Sequence, residues 1–171
     1  MTTTSPYILG IDPGLNVTGY GVLEIASRGP VLTEGGVIRA GSDKSLDARL
    51  REMYQGVTEV LATFEPAAMA IEELYSHYER PRTAILMGHA RGVICLAAAQ
   101  RNTPIVHYAA TQVKRMLTGN GRAPKTQMQL AICRELNLAA PPDPPDVADA
   151  LAIALCHHHL QRQVASSNST A

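Results

Sequence analysis

The chain has 171 residues, 46% of them apolar and 18% charged, with 15 Lys and Arg against 15 Asp and Glu, so its formal net charge is zero. That length and composition suit one domain with its own core and exclude disordered, collagen-like and disulfide-scaffold classes. With no Trp and one Phe, the core has to be built mainly from Ala, Leu, Val and Ile.

In chain order, YILGID (7–12) reads as a buried strand that ends on an acid and is closed by the turn pair Pro13-Gly14. Residues 17–25 and 31–40 are β-rich runs parted by Arg28-Gly29-Pro30, which makes an antiparallel meander. The period then changes. Leu46, Leu50, Met53, Val57, Val60, Leu61 and Phe64 recur at threes and fours, predicting an amphipathic helix over 45–64 that stops before Pro66. Residues 67–74 form a second apolar run ending on acids, and the helix before it predicts a parallel crossover. An Ala-rich helix over 83–101, a fifth strand over 104–109, a helix over 111–117, a GNGRAP loop and a helix over 125–138 follow. Asp143 is placed to cap a last helix with Pro144 in its first turn, and residues 163–171 read as a disordered polar tail. The expectation is one α/β domain over 1–162.

Cys95, Cys133 and Cys156 are odd in number, far apart and set in apolar helical contexts, which predicts buried free thiols in a reducing compartment. The N-terminus lacks the basic and apolar regions of a leader, and no apolar stretch approaches the roughly 20 residues that span a bilayer. A cytoplasmic protein is expected.

Two predicted strands deliver acids at their ends, Asp12 and Glu72, and the last helix offers Asp146 and Asp149 on one face at i, i+3 spacing. Singly, Asp12 suits a turn before Pro-Gly and Asp146 suits a helix start. Together, where α/β sheets build their sites, the four demand counter-charge to stay ionised. Hard divalent cations with oxygen ligands supply it, and two such ions about 3.5–4 Å apart clamp the attacking and leaving oxygens of a phosphoryl displacement. Glu73 points to the opposite face of the strand from Glu72 and reads as a solvated neighbour.

The segments ILGIDPGLNVTGYGVL, MAIEELY, GHARGV, AATQVKRMLTGNGRAPKTQM and DVADALAIAL, in this order from Ile8 to about His158, resemble the successive motifs of the RuvC family, the bacterial Holliday-junction resolvases. The resemblance implies an RNase H-like fold, a five-stranded mixed sheet flanked by helices. It matches Asp12, Glu72, Asp146 and Asp149 to the family's catalytic acids and metal ligands. It also implies Mg²⁺, two per subunit, with Mn²⁺ as a substitute, and a homodimer in which each subunit nicks one of two like-polarity strands of a four-way junction. In the expected mechanism, one ion on Asp12 and a last-helix Asp activates water while a second on Asp12 and Glu72 stabilises the departing 3′ oxygen. Lys114 and Lys125 align with lysines that assist phosphate binding or catalysis, and Lys125 is expected to be a cation near the scissile phosphate. Tyr75 stands where some relatives have a Phe that stacks on an unpaired junction base, and Glu73 where relatives often have Gln. The RuvA and RuvB branch-migration complex is the implied partner.

Other features fit less specific roles. His157, His158 and His159 cannot all share one ion on a helix, and the expectation is a favourable charge near a helix C-terminus. GNGRAPK lacks P-loop spacing and reads as a flexible basic loop that settles on DNA. Gly88, Gly92 and residues 97–99 allow close helix approach, either in the core or across a dimer. An actin-like or sugar-kinase-like phosphotransferase would need a second copy of the domain, and a catalytically silent junction-binding module would lack the acids.

The zero net charge conceals a distribution. Residues 1–79 carry 5 basic and 11 acidic side chains, residues 80–134 carry 9 and none, and residues 135–171 carry 1 and 4. The acid-free middle holds Arg82, Lys114, Arg115, Arg122 and Lys125, the electrostatic footprint that a phosphate backbone needs. The sequence reading is therefore a metal-dependent endonuclease acting on four-way junction DNA.

Overall fold

The computed structural model describes residues 5–74 and 81–168. Strands β1 (Tyr7–Asp12), β2 (Val17–Ala26) and β3 (Gly29–Arg39) form the expected meander. Helix α1 (Leu46–Phe64) then crosses over to β4 (Ala68–Glu72), which lies parallel to β1, and α2 (Pro81–Gln100) leads to β5 (Ile105–Tyr108), parallel to β4. The sheet order is β3-β2-β1-β4-β5. Three helices close the chain: α3 (Ala110–Thr118), α4 (Lys125–Leu136) and α5 (Pro145–Asn168).

Side-chain alternation along the strands divides the core into two layers. Leu9, Ile11, Val22, Met69 and Ile71 pack under α1 and α2 with Met53, Val57, Leu61, Ile94 and Ala98. Ile8, Leu23, Ala70 and Tyr108 face the other way, against Leu151, Ile153 and Leu155 of α5. By the same alternation Asp12 and Glu72, two residues beyond Gly10 and Ala70, fall on the α5 side. Helix α5 is buried almost all round from Val147 to His158 because the sheet lies on one flank and α3 and α4 on the other.

The glycines of β1 and β2 make this close approach feasible. A Cβ on Gly10 would stand 2.0 Å from the Ala150 carbonyl oxygen, and one on Gly19 would stand 2.1 Å from that of Asp146. Neither backbone atom can give way, so the backbone of α5 rests directly on the backbone of the sheet.

Several expectations need correction. Helix α5 begins at Pro145, so Asp143 lies outside it and is not its cap; the Val147 amide donates to the Pro144 carbonyl (3.0 Å). The segment expected to be a disordered tail continues α5 as far as Asn168, with the Ser166 and Ser167 hydroxyls donating to the Arg162 and Gln163 carbonyls (2.9 Å each). A helix already fixed by its buried half extends at little cost, since only its nucleation is unfavourable. All three cysteines are free, but only Cys156 is buried; Cys95 and Cys133 are half-buried. Among the described residues no helix is long and apolar enough to cross a membrane.

Candidate active site

Ile11 pairs with Ile71 across the parallel strands β1 and β4, so the next residues, Asp12 and Glu72, end these strands side by side. The turn after Asp12 is pinned by buried Thr18, whose hydroxyl donates to the Gly14 carbonyl (2.9 Å) and accepts from the Gly14 amide (3.3 Å). Asp12 is also paired in register with Gly19 of β2, the residue over which the Asp146 backbone passes. Asp146 and Asp149 thereby arrive above Asp12 from the first turns of α5. Sequence reasoning named the acids but missed what seats them: Gly10 of β1 and the alternate Gly19 and Gly21 of β2 are the signal of a backbone approached closely.

The acids lie within range of one another's charge. Burial, then the charges of Glu72, Asp149 and Asp146, push the Asp12 carboxyl from the ordinary 3.8 to about 7, against a smaller opposing effect of Lys125. Burial and Asp149 also raise Glu72, and Lys114 opposes them. Among the described residues no three His, Cys, Asp or Glu groups are already gathered so that they could hold an ion. The carboxylates repel one another, and a cation of the chain has entered among them: Lys125 Nζ lies 3.4 Å from Asp149 Oδ2.

Asp12, Glu72 and Asp149 share a cavity of about 250 Å³ with Lys114 and Lys125. A neighbouring cleft of about 680 Å³ continues from Asp12 and Glu72 along Pro13, Leu74 and Met87. Arg115 and Arg122 are exposed beside the 119–124 loop. That loop, expected to be flexible, is held closed: the Arg122 amide donates to Asn120 Oδ1 (3.0 Å) and the Ala123 amide to the Asn120 carbonyl (3.1 Å). Arg82 is exposed in the first turn of α2 and touches none of the acids. Tyr75 lies outside the described residues.

The histidine run lies well inside α5, not at its C-terminus as expected, because that helix extends further. Burial holds His157 and His158 below the ordinary imidazole range, so both rings are neutral. His157 Nδ1 and the Tyr108 hydroxyl share a hydrogen bond of 2.7 Å, and His159 Nε2 lies 3.2 Å from Glu135. Glu73 is exposed, as expected, but it lines the same cleft as Asp12 and Glu72.

A β3-β2-β1-β4-β5 mixed sheet with carboxylates ending its two central parallel strands, met by two more from a closing helix, defines an RNase H-like α/β protein with an acidic centre. The profile described as crossover junction endodeoxyribonuclease RuvC matches residues 8–157, and the chain belongs to this RuvC family. The crossover junction endodeoxyribonuclease RuvC of Rhodopirellula baltica is 59% identical over 155 residues, 90% of this chain and 86% of that protein. That of Desulforamulus reducens is 45% identical over 151 residues, 88% of this chain and 91% of that protein. T. thermophilus RuvC, solved in complex with a Holliday junction substrate, superposes with a TM-score of 0.86 at 34% identity, covering 92% of this chain and 95% of that one.

Proposed function

We infer that this protein is an endonuclease that resolves Holliday junctions by paired nicking of two like-polarity strands. The observation that carries the reading is the set of four carboxylates from β1, β4 and α5 that lie within range of one another's charge with too little positive charge beside them, which with burial pushes the Asp12 carboxyl up to about 7. Such a hard-oxygen donor set fits divalent cations, and Asp12, Glu72, Asp146 and Asp149 would hold them, Mg²⁺ or in its place Mn²⁺, two per subunit. When bound, these ions supply the positive charge that lowers the pKa of the attacking water and offsets charge on the departing 3′ oxygen.

The rest is the work of the chain. Asp12 gives up its proton as counter-charge arrives, so that all four carboxylates become donors. Lys125, released from Asp149, and Lys114, beside Glu72, turn their ammonium groups to the scissile phosphate. Arg115, Arg122 and Arg82 hold the flanking backbone, with Tyr75 stacking on an unpaired junction base.

Paired nicking calls for two centres, and α2 supplies a face for a second copy. Ile85 and Leu96 are 64% and 51% exposed, and a Cβ built on Gly92 would meet nothing within 4 Å among the described residues apart from its chain neighbours and the backbone of its own helix. Residues Ala97 and Ala98, by contrast, are buried in the protein's own core. The cytoplasm is the proposed setting, with RuvA and RuvB as partners, on the strength of the family likeness. The test is a synthetic four-way junction incubated with the protein and Mg²⁺ or Mn²⁺. Symmetric nicks leaving 5′-phosphate and 3′-hydroxyl ends are expected, and intact junction that is merely retarded would leave only a binding module.

A further inference from the structure

Beneath the acids lies a polar pair in an otherwise apolar layer. Tyr108, the last residue of β5, is 6% exposed and His157 of α5 is 4% exposed; they share the 2.7 Å hydrogen bond, their rings tilted at 55° with centroids 5.9 Å apart. Tyr108 belongs to the buried cluster that also holds Ala152, Ile153 and Cys156. A Phe and a Leu would fill the same volume, and replacing a buried polar pair by apolar groups of similar shape is often neutral for stability. What the polar pair adds is direction: a hydrogen bond fixes one distance where small aliphatic side chains can slide.

The two ends of this bond lead to the acids. Tyr108 is the register partner of Glu72, and its carbonyl accepts the Glu73 amide (2.8 Å), so its backbone pins the end of β4. His157 stands two turns along α5 from Asp149, with Ile153 between them on the same helix face, and both Asp149 and Ile153 line the acid cavity. Tyr108 also precedes α3, whose Lys114 acts on Glu72. One bond therefore ties the strand end that carries Glu72 to the helix that carries Asp149.

We propose that the Tyr108–His157 hydrogen bond is a brace that sets the separation of Glu72 and Asp149, making Tyr108 and His157 positioning residues for strand cleavage. The proposal rests on the reading of the acids as the cleavage centre. Without the brace, α5 keeps its burial but shifts against β4 and β5, and carboxylates that must converge on common ions no longer do so. The neutral state of His157 suits this role, since a buried neutral ring holds its bond without needing a counter-charge.

The test uses the full chain and three variants: Tyr108→Phe, His157→Leu and His157→Asn. In His157→Asn the amide oxygen can take the place of Nδ1 as acceptor. Mn²⁺ binding is read by electron paramagnetic resonance on the free protein, and junction cleavage gives kcat and KM. Tyr108→Phe and His157→Leu are expected to weaken Mn²⁺ binding and lower kcat by about tenfold each, with KM for the junction unchanged and with His157→Asn retaining most of both. A packing role alone predicts the reverse order, Leu at least as good as Asn. Wild-type Mn²⁺ affinity in Tyr108→Phe, or an affinity in His157→Leu equal to or above that of His157→Asn, would overturn the brace. Tyr108→Phe loses a single oxygen and keeps the test available if a His157 variant fails to fold. If the wild-type chain itself leaves the junction intact, the cleavage reading falls, while the order of Mn²⁺ affinities still decides the brace.

Discussion

Lys125 Nζ sits 3.4 Å from Asp149 Oδ2 although Lys125 is the first residue of α4, where the helix dipole disfavours a cation. The pair is largely exposed, 70% and 42%, and exposed pairs contribute about 0–1 kcal/mol, so helix stability does not account for the lysine. On the reading proposed above, its place follows from the phosphate it would meet. Lys125→Gln is expected to leave the melting temperature nearly unchanged while lowering kcat by roughly 100-fold, the scale of losing one electrostatic donor at a reacting centre. Single-turnover cleavage beside a thermal melt checks both halves of the statement.

Asp12 gives a pH dependence of definite sign. Its carboxyl titrates near 3.8 in an unstructured chain and near 7 in the fold, so between those values the folded state keeps a proton that the unfolded state has lost. Stability of the metal-free protein therefore falls as pH rises through that window. Asp12→Asn removes the dependence: in EDTA its advantage over wild type should grow by a few kcal/mol in total between pH 4 and pH 7, then level off, while cleavage is lost. The buried His157 and His158 act with the opposite sign, losing stability as pH falls below the ordinary imidazole value of 6.5. They are common to both proteins and cancel in the difference. Melting curves across pH 5–8 that run parallel for the two proteins would contradict the raised Asp12 carboxyl.

Gly19→Ala tests the seat of α5. The added methyl would stand 2.1 Å from the Asp146 carbonyl oxygen, an atom of a helix backbone with nowhere to go. A loss of about 1–3 kcal/mol is expected, as for other overpacked sites, together with weakened Mn²⁺ binding as Asp146 is lifted away. Denaturant unfolding and metal titration of the same preparation measure the two effects.

The face of α2 makes a separable prediction. Leu96→Glu alters a side chain that is half exposed in the single chain, so unfolding should change by less than about 0.5 kcal/mol. Sedimentation should nevertheless show a monomer where, on the proposed reading, the wild type sediments as a dimer, and junctions should be nicked once instead of being resolved.

Arg122 projects from a closed loop and belongs to no ion pair among the described residues. Arg122→Ala should weaken junction binding at low salt and reduce the slope of log affinity against log salt by about 1. An unchanged slope would remove it from the DNA-contacting surface.

Much of this was legible in the sequence, and the reason differs by element. Short apolar runs ending on acids gave β1 and β4, because a buried strand has few other ways to be written. The three-four spacing of Leu46 to Phe64 gave α1 for the same reason. The start of α5 was misplaced because Asp143-Pro144-Pro145 offers two plausible first turns, and the end because QVASSNST has no apolar stripe of its own and borrows helicity from the segment before it. The bond between Tyr108 and His157 was invisible because it joins residues 49 positions apart through tertiary packing alone. Triplet histidines in sequence suggest a common fate; in the fold they part, His157 bonding Tyr108 of β5 and His159 lying beside Glu135 of α4.

Helix α5 follows every other element in chain order, yet it lies at the centre of one core layer and brings two of the four acids. Because domains are made N-terminal first, the strands carrying Asp12 and Glu72 exist before Asp146 and Asp149 reach them, and the contacts that join them span most of the chain. A partly synthesised or partly unfolded molecule thus lacks an assembled acidic centre. On the reading of these acids as the cleavage centre, cutting power would appear only when the last helix docks.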